Sequence, residues 1–223
     1  MAETTFAAIV SQNDANVRKG LVGGVLFAPI TATLPTSLTV DSAETPGTPV
    51  LQTLPTGFVP LGRLSADGAI FSDAVTASDI TGWGALEPIR RDITSDVKTL
   101  HVVGLETNKA TIALLHDLDE SGVPTPDSTT KELQIPRATN PIAKYYRILV
   151  LMQDGAAGSE YWFGRMFPRA SVTDRGDQSW AAGDTVVSWD VTITAYTDAT
   201  AGYSSKDFYA GPAWKTGITG AGF

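Results

Sequence analysis

The sequence predicts a β-rich protein. Segments rich in Val, Ile, Thr and aromatic residues alternate with turns that hold many of the 21 Gly and 13 Pro residues. One segment alternates strictly between apolar and polar side chains, as a strand with a single buried face does. Only one segment of substantial length spaces its apolar residues by three and four positions, as a helix requires.

The composition limits the size and the class of the protein. A chain of 223 residues is expected to form one domain over 1–223, and 43% hydrophobic residues with 18% charged residues argue against wholesale disorder. The net charge of −8 argues against a protein that binds nucleic acid tightly, because the phosphate backbone is also negatively charged. The absence of Cys excludes disulfides, thiol nucleophiles and thiolate metal sites.

Three segments are predicted to lie outside the packed fold. Residues 1–20 are polar without a period and are interpreted as an N-terminal arm, 36–60 as a long Pro-rich loop, and 198–223 as a C-terminal arm with scattered aromatic residues. The acidic N-terminus lacks the basic start of a signal peptide, and the apolar run 21–30 is too short to span a membrane. Synthesis in the cytoplasm and no membrane partner are therefore expected.

The first half of the chain is predicted to contain a hairpin, a long strand and a helix. Asp67 and Gly68 lie between the strand-like runs 62–64 and 69–71, which favours a tight hairpin turn at this pair. Strand-forming residues predict a long strand at about 92–105. Thr107 is expected to cap a helix over 108–117.

The second half holds the clearest strands. The runs 145–152 and 161–167 are interpreted as a hairpin with a longer turn, and 187–195 is the strictly alternating segment. Its apolar face, expected to be core, consists of Val187, Trp189, Val191, Ile193 and Ala195. Its polar, solvated face consists of Ser188, Asp190, Thr192 and Thr194.

No pattern of residues predicts catalysis, a cofactor or a metal. The two histidines, His101 and His116, lack the spacing of a metal site or a catalytic triad. Residues 117–122 copy the first half of a calcium loop, but Ser128 occupies the position of the bidentate Glu, so a solvated turn is expected. We expect no enzyme, no catalytic residue, no cofactor-binding residue and no metal ligand.

Several short segments between about residues 20 and 200 carry a further signal when they are taken together. They are Gly24-Val25-Leu26-Phe27-Ala28-Pro29, Thr31, Leu34-Pro35-Thr36, 61–68, Ile80-Thr81-Gly82-Trp83-Gly84, Arg90-Arg91-Asp92, 105–108, Phe167-Pro168-Arg169-Ala170, Gly183-Asp184 and Ala195-Tyr196-Thr197-Asp198. In these segments the chain resembles the major tail proteins, or tail tube proteins, of long-tailed bacteriophages.

The resemblance implies a compact β-sandwich with one flanking α-helix and a long loop. It implies hexameric rings whose inner strands form one β-barrel shared between subunits, and stacking of these rings into a hollow tube in the virion tail. The implied partners are other copies of the chain, the tape measure protein inside the tube, and the tail terminator and baseplate or tail-tip proteins. DNA would pass through the lumen without specific binding.

On this interpretation the polar face of 187–195 acquires a role. We hypothesise that Ser188, Asp190, Thr192 and Thr194 face the lumen, where an acidic, hydroxyl-lined wall repels DNA; the alternative is that they meet bulk solvent. A second hypothesis is that the loop 36–60 and the two termini bridge neighbouring subunits or rings.

Two other kinds of protein remain open. A secreted or surface β-sandwich that binds carbohydrate or mediates adhesion would use exposed aromatic side chains as stacking platforms. The candidate platforms are Trp83, Trp162, Trp180 and Trp214. Another virion component, such as a tail terminator or head protein, is the nearer alternative.

Overall fold

Residues 13–137, 139–182 and 186–219 are described by a computed structural model, and within them the chain forms ten β-strands and two short α-helices. The strands are β1 (Val22–Pro29), β2 (Thr39–Asp41), β3 (Pro49–Leu51), β4 (Val59–Pro60), β5 (Leu64–Thr81), β6 (Pro88–Gly104), β7 (Tyr146–Asp154), β8 (Tyr161–Arg175), β9 (Trp189–Ala195) and β10 (Lys206–Ala210). The helices are α1 (Lys109–Leu115) and α2 (Pro212–Gly217). Single 3₁₀ turns occupy Asp14–Asn16 and Glu120–Gly122.

Eight strands form one antiparallel sheet in the order β4-β1-β7-β8-β9-β6-β5, with β10 also paired to β8. Strand β8 joins the two halves, because one of its edges pairs with β7 while the other pairs first with β10 and then with β9. Phe27 on β1 and Ile193 on β9 belong to one buried cluster, so the halves pack on each other. The predicted mostly β, sandwich-like fold is confirmed.

The alternating segment forms β9 with the expected faces. Val191, Ile193 and Ala195 are buried, and Trp189 is half-buried at the start of the strand. The strand is shorter than predicted, because Val187 and Ser188 precede its first residue, and Val187, which was expected in the core, is instead 39% exposed. The predicted long strand at 92–105 is β6, and the predicted hairpin of 145–152 and 161–167 is β7 with β8.

Helix α1 lies where the sequence predicted a helix, but its cap differs. Asn108, and not Thr107, is the N-cap: its Oδ1 accepts from the Thr111 amide at 2.9 Å, while its own amide donates to Thr111 Oγ1 at 3.1 Å. This reciprocal pair satisfies two amides that the first turn leaves free. The helix is also shorter than predicted and ends at Leu115.

The predicted hairpin turn at Asp67 and Gly68 is wrong. Strand β5 continues through both residues, and the register shift between Leu64 and Ala69 marks an irregularity in which Gly68 has a φ of 67°. A glycine in the left-handed region permits a bulge as readily as a turn. The chain reverses instead at 82–87, where the Ala85 amide donates to the Gly82 carbonyl at 3.1 Å.

The segments predicted as loop and arms contain regular structure. Within 36–60, β2 pairs with β3, and Leu38 is buried. Within 198–223, β10 pairs with β8, and α2 is a second short helix beside the one predicted. Of the predicted N-terminal arm, residues 1–12 lie outside the described residues. No helix in the described part of the chain is both long and apolar enough to cross a bilayer.

Candidate assembly surfaces

Three of the four residues predicted to face a lumen lie together on β9. Asp190, Thr192 and Thr194 point away from the buried side of the strand and are half-exposed. Ser188 precedes the strand; it is half-exposed, and its carbonyl accepts from Gln178 Nε2 at 3.3 Å. The strand therefore presents a short polar row on the side of the sheet opposite the core.

The neighbouring strands extend this row. Ser72 on β5, Thr99 on β6, Thr194 on β9 and Ser171 on β8 are successive cross-strand partners, so four hydroxyl side chains cross the sheet in line. His101 is the partner of Thr192. We call this surface the hydroxyl face, and its members are Ser72, Thr99, His101, Ser171, Thr173, Asp190, Thr192 and Thr194. Ser171 is buried, and the other seven are half-exposed or exposed.

Hydrogen bonds hold the side chains of the hydroxyl face in place. His101 Nε2 lies 2.8 Å from Asp190 Oδ1, and the hydroxyls of Thr173 and Thr194 lie 2.8 Å apart. Both pairs join neighbouring strands and remain partly open to solvent, because the side chains of His101 and Asp190 are 39% and 31% exposed. Four of the eight side chains of the face are therefore joined in cross-strand pairs.

The hydroxyl face has an acidic character. Lys98 is the only Lys or Arg between residues 92 and 104, and it lies on the other side of β6 with Leu100, where its Nζ is 2.5 Å from Asp96 Oδ2. Asp190 is a carboxylate on the hydroxyl face, and the exposed Asp174 on β8 lies beside it as the cross-strand partner of Thr192. A surface of hydroxyls and carboxylates without lysine or arginine has few groups that attract a polyanion.

Five members of the face were missed by sequence reasoning. Thr99 and His101 alternate with the buried Leu100 and Val102, and this alternation inside the predicted strand was the available signal. No comparable signal existed for Thr173, which lies at a register shift of β8 between Val172 and Asp174. Ser72 and Ser171 are identified only by pairing.

The second surface is a hairpin that extends beyond the rest of the sheet. Strand β9 pairs with β6 only from Thr99 to Gly104, so residues 73–98 of β5 and β6 project without a further strand beside them in the described chain, and residues 70–72 form the base of this hairpin. We call 70–98 the projecting hairpin. Its exposed large apolar residues are Ile70, Phe71, Val75, Ile80, Trp83, Leu86, Ile89, Ile93 and Val97. An apolar array of this kind marks a protein interaction site.

The base of the projecting hairpin is anchored to the core. The Phe71 ring packs 6.2 Å from that of Phe167, and the Arg165 guanidinium lies 4.6 Å from the Phe71 centroid. Arg165 in turn donates two hydrogen bonds to the Asp207 carboxylate, at 2.6 and 3.1 Å, which raise the pKa of Arg165. These contacts fix the point from which the hairpin departs.

The part of the sheet formed by β5, β6, β9 and the end of β8 has two unpaired edges. Among the described residues, no strand pairs with the outer edge of β5, and residues 171–175 of β8 pair only with β9. A long unpaired edge is a template for a strand from another chain. The four neighbouring strands β5, β6, β9 and the end of β8 thus form a sheet that is open on both sides.

The remaining candidate groups lie apart from these surfaces. The calcium-like segment uses its carboxylates internally, since Asp117 pairs with Arg175 at 2.5 Å and Asp119 accepts from the Gly122 amide at 2.6 Å. No cluster of metal-ligating side chains occurs within the residues that the structure describes. His116 follows α1, where burial and then the nearby arginines lower its pKa.

The four tryptophans considered as stacking platforms are divided between the interior and the surface. Trp162 is buried, and Trp214 stacks on Tyr209 with the ring centroids 5.7 Å apart. Trp83 is fully exposed at the turn of the projecting hairpin, and Trp180 is exposed in the segment before β9. Only two of the four are therefore available to an external partner.

Comparison with known proteins identifies the family. The family model described as phage tail tube protein matches residues 10–210. No curated protein matches the chain. Among solved structures, the chain is similar to one from the cryo-EM structure of the anti-feeding prophage (AFP) baseplate, 6-fold symmetrised, with 12% identity and a TM-score of 0.36 over 85% of this chain and 93% of that one. Because the family match spans most of its length, the protein belongs to the phage tail tube protein family and is a structural component of the virion tail.

Proposed function

We propose that this protein self-assembles into hexameric rings that stack into the phage tail tube. The tube surrounds the tape measure protein before infection and conducts DNA during ejection, and the tail terminator and the baseplate or tail-tip proteins bind its ends. The observation that supports this best is the sheet of β5, β6, β9 and the end of β8, which is open at both edges within the described residues.

The open edges explain how a ring can close. In the proposed ring the outer edge of β5 in one subunit pairs with residues 171–175 in the next, and repetition of this contact produces one continuous barrel. Closure removes the free edges of β5 and of residues 171–175, which protects this part of the sheet against uncontrolled pairing. The projecting hairpin then lies between subunits, and its exposed apolar residues become buried there.

The hydroxyl face forms the inner wall of the proposed tube. Ser188, Asp190, Thr192 and Thr194 face the lumen, together with Thr99 and His101. A wall of hydroxyl groups with a net acidic charge repels the phosphate backbone and lets DNA slide, in keeping with the chain's charge of −8.

A labelling experiment tests the position of this wall. Because the chain contains no Cys, Thr192→Cys and Ser128→Cys each introduce a single thiol, the first on the hydroxyl face and the second in an exposed turn. A maleimide carried on a long polyethylene glycol chain should label both variants as monomers. In assembled tubes it should label only Ser128→Cys. Equal labelling of Thr192→Cys in tubes and monomers would contradict the proposal.

The segments outside the sheet are proposed to join neighbouring subunits and rings, with the whole of 1–223 acting as one tail tube unit. These segments are the arm 1–20, the loop 36–60 and the arm 198–223. Deletion of 42–56 should leave a folded monomer, because this stretch removes only the tip of the small sheet and β3. It should also block tube formation, and tubes at normal yield would exclude a bridging role for the loop.

A further inference from the structure

The turn of the projecting hairpin exposes two large apolar side chains to solvent. Trp83 and Leu86, in the segment 82–87, are both fully exposed. The turn that carries them is ordered by the hydrogen bond from the Ala85 amide to the Gly82 carbonyl, and Gly84 has a φ of 79°, which favours glycine. Two large apolar side chains that are exposed to solvent on an ordered turn indicate a contact with another molecule.

A groove lies at the other end of the same hairpin. It has a volume of about 870 Å³ and separates the beginning of β5 from the ends of β1, β7, β8 and β10. One wall is a row of cross-strand partners, Gly23, Met152, Phe163 and Tyr209. The facing wall is formed by residues 64–69 and Phe71. A groove of this size, with both apolar and charged lining residues, is within the range of sites that take a large apolar group.

The turn of a subunit does not reach its own groove. Strand β5 runs from Ala69, beside the groove, to Thr81, before the turn. Twelve extended residues span about 40 Å. A contact between the turn and such a groove therefore joins two copies of the chain.

Charge favours the same match. Glu87 ends the turn, Arg63 lies at the mouth of the groove, and both are exposed; within the described residues neither side chain has an ion pair or a side-chain hydrogen bond. The carboxylates that line the groove are mostly engaged, because Glu106 accepts from the Arg63 amide at 2.7 Å and Asp207 binds Arg165. Asp67, also in the lining, is exposed at the surface. The guanidinium of Arg63 is thus the charge available to an incoming carboxylate.

We propose that Trp83 and Leu86 of one subunit insert into the groove at the hairpin base of a second copy, with Glu87 against Arg63 of that copy. This inference rests on the proposed self-assembly and adds the residues that form one contact. The contact is heterologous, since each subunit offers its turn to one neighbour and its groove to another. It therefore propagates from copy to copy without ending in a closed dimer.

Disulfide trapping tests the contact directly. Glu87→Cys and Arg63→Cys are made separately, and both replace exposed side chains in a chain without Cys. Under mild oxidation each variant alone should give little covalent dimer, whereas co-assembled mixtures should give a strong dimer band. The double variant should give a ladder of covalent oligomers. A mixture that assembles but forms no more dimer than the single variants overturns the proposal.

Charge reversal gives an independent readout. Glu87→Arg or Arg63→Glu alone should lower the yield of assembly by about tenfold, because like charges then face each other. The two variants mixed at equal amounts should recover part of that yield, and the double variant should recover most of it. No recovery in the double variant contradicts the pairing.

The result separates this inference from the proposed function. If the unmodified chain does not assemble into rings or tubes, the proposed function fails. If it assembles and Trp83→Ala assembles equally well, only the contact between turn and groove fails.

Discussion

Strand β6 passes through two different environments. Leu100 and Val102 are fully buried in the sandwich, whereas Ile89, Ile93 and Val97 on the same strand are exposed on the projecting hairpin. All five are aliphatic residues in regular β-structure, so their burial is decided by what lies opposite them. The second half of the strand packs within the chain, whereas the first half is exposed in the monomer and is proposed to contact a neighbouring molecule.

The largest effect on the monomer is expected in the sandwich. Phe167→Ala removes a buried ring that packs against Phe71, and the cavity should lower the free energy of unfolding by about 3–5 kcal/mol. Chemical denaturation of the monomer measures this. A change below about 1 kcal/mol, within the usual range for exposed sites, would show that the described core does not hold the fold.

An intermediate effect is expected at the N-terminus of α1. Asn108→Ala removes the side-chain acceptor for the Thr111 amide and the donor to the Leu61 carbonyl at 3.0 Å. The free energy of unfolding should fall by about 1–2 kcal/mol. Asn108→Ser keeps a cap acceptor but not the donor to Leu61, so its denaturation midpoint should lie between those of the other two. Equal midpoints for all three would argue against the cap.

A pH-dependent effect is expected at the turn that follows β9. The carboxylate of Asp198 accepts from the amides of Ala201 at 2.9 Å and Thr200 at 2.8 Å, and these bonds, the one from Ala201 first, lower the pKa of Asp198. Its contribution to stability is therefore complete above the unfolded value of 3.8 and is lost as pH falls through the lower folded pKa.

Asp198→Asn serves as the test of this turn. Asparagine still accepts the two amide hydrogen bonds but does not ionise. As the pH falls below about 5, the free energy of unfolding of the variant should therefore decrease less than that of the parent protein. Thermal unfolding at a series of pH values measures the difference. If the melting temperatures of the two proteins changed equally with pH, Asp198 would not contribute to the pH dependence of stability.

The smallest effect on the monomer is expected on the projecting hairpin. Ile93 is 69% exposed, so Ile93→Ser should change the free energy of unfolding by no more than about 0.5 kcal/mol. Assembly should fall sharply, because the proposed interface loses an apolar side chain. Sedimentation of the variant at high concentration measures this. If the variant assembled normally but its monomer were destabilised, Ile93 would belong to the core of the monomer and not to the proposed interface.

The sandwich half was largely predictable from the sequence. The alternation of 187–195 identified the buried and polar sides of β9, and the runs 145–152 and 161–167 identified β7 and β8. These predictions succeed because one face of each strand is buried within the same chain. The residues around Gly68 do not distinguish a hairpin turn from a β-bulge, since both accept a glycine with a left-handed backbone conformation.

The hairpin half could not be predicted in the same way. Its aliphatic residues have the pattern of a buried strand, and nothing local distinguishes burial within a chain from burial between chains. The loop 36–60 was misjudged for a related reason, because its prolines hid the short pairing of Val40 with Val50. Only three of the eight members of the hydroxyl face were predicted, since the membership of Ser72, Ser171 and Thr173 depends on pairing between strands far apart in sequence.

A helical reconstruction of the assembled protein by electron cryomicroscopy tests the central claim most directly. The account predicts hexameric rings in which Thr192, Thr194 and Asp190 line the lumen and the outer edge of β5 pairs with residues 171–175 of the next subunit. A map with these side chains on the outer wall, or with the projecting hairpin free in solvent, would contradict it.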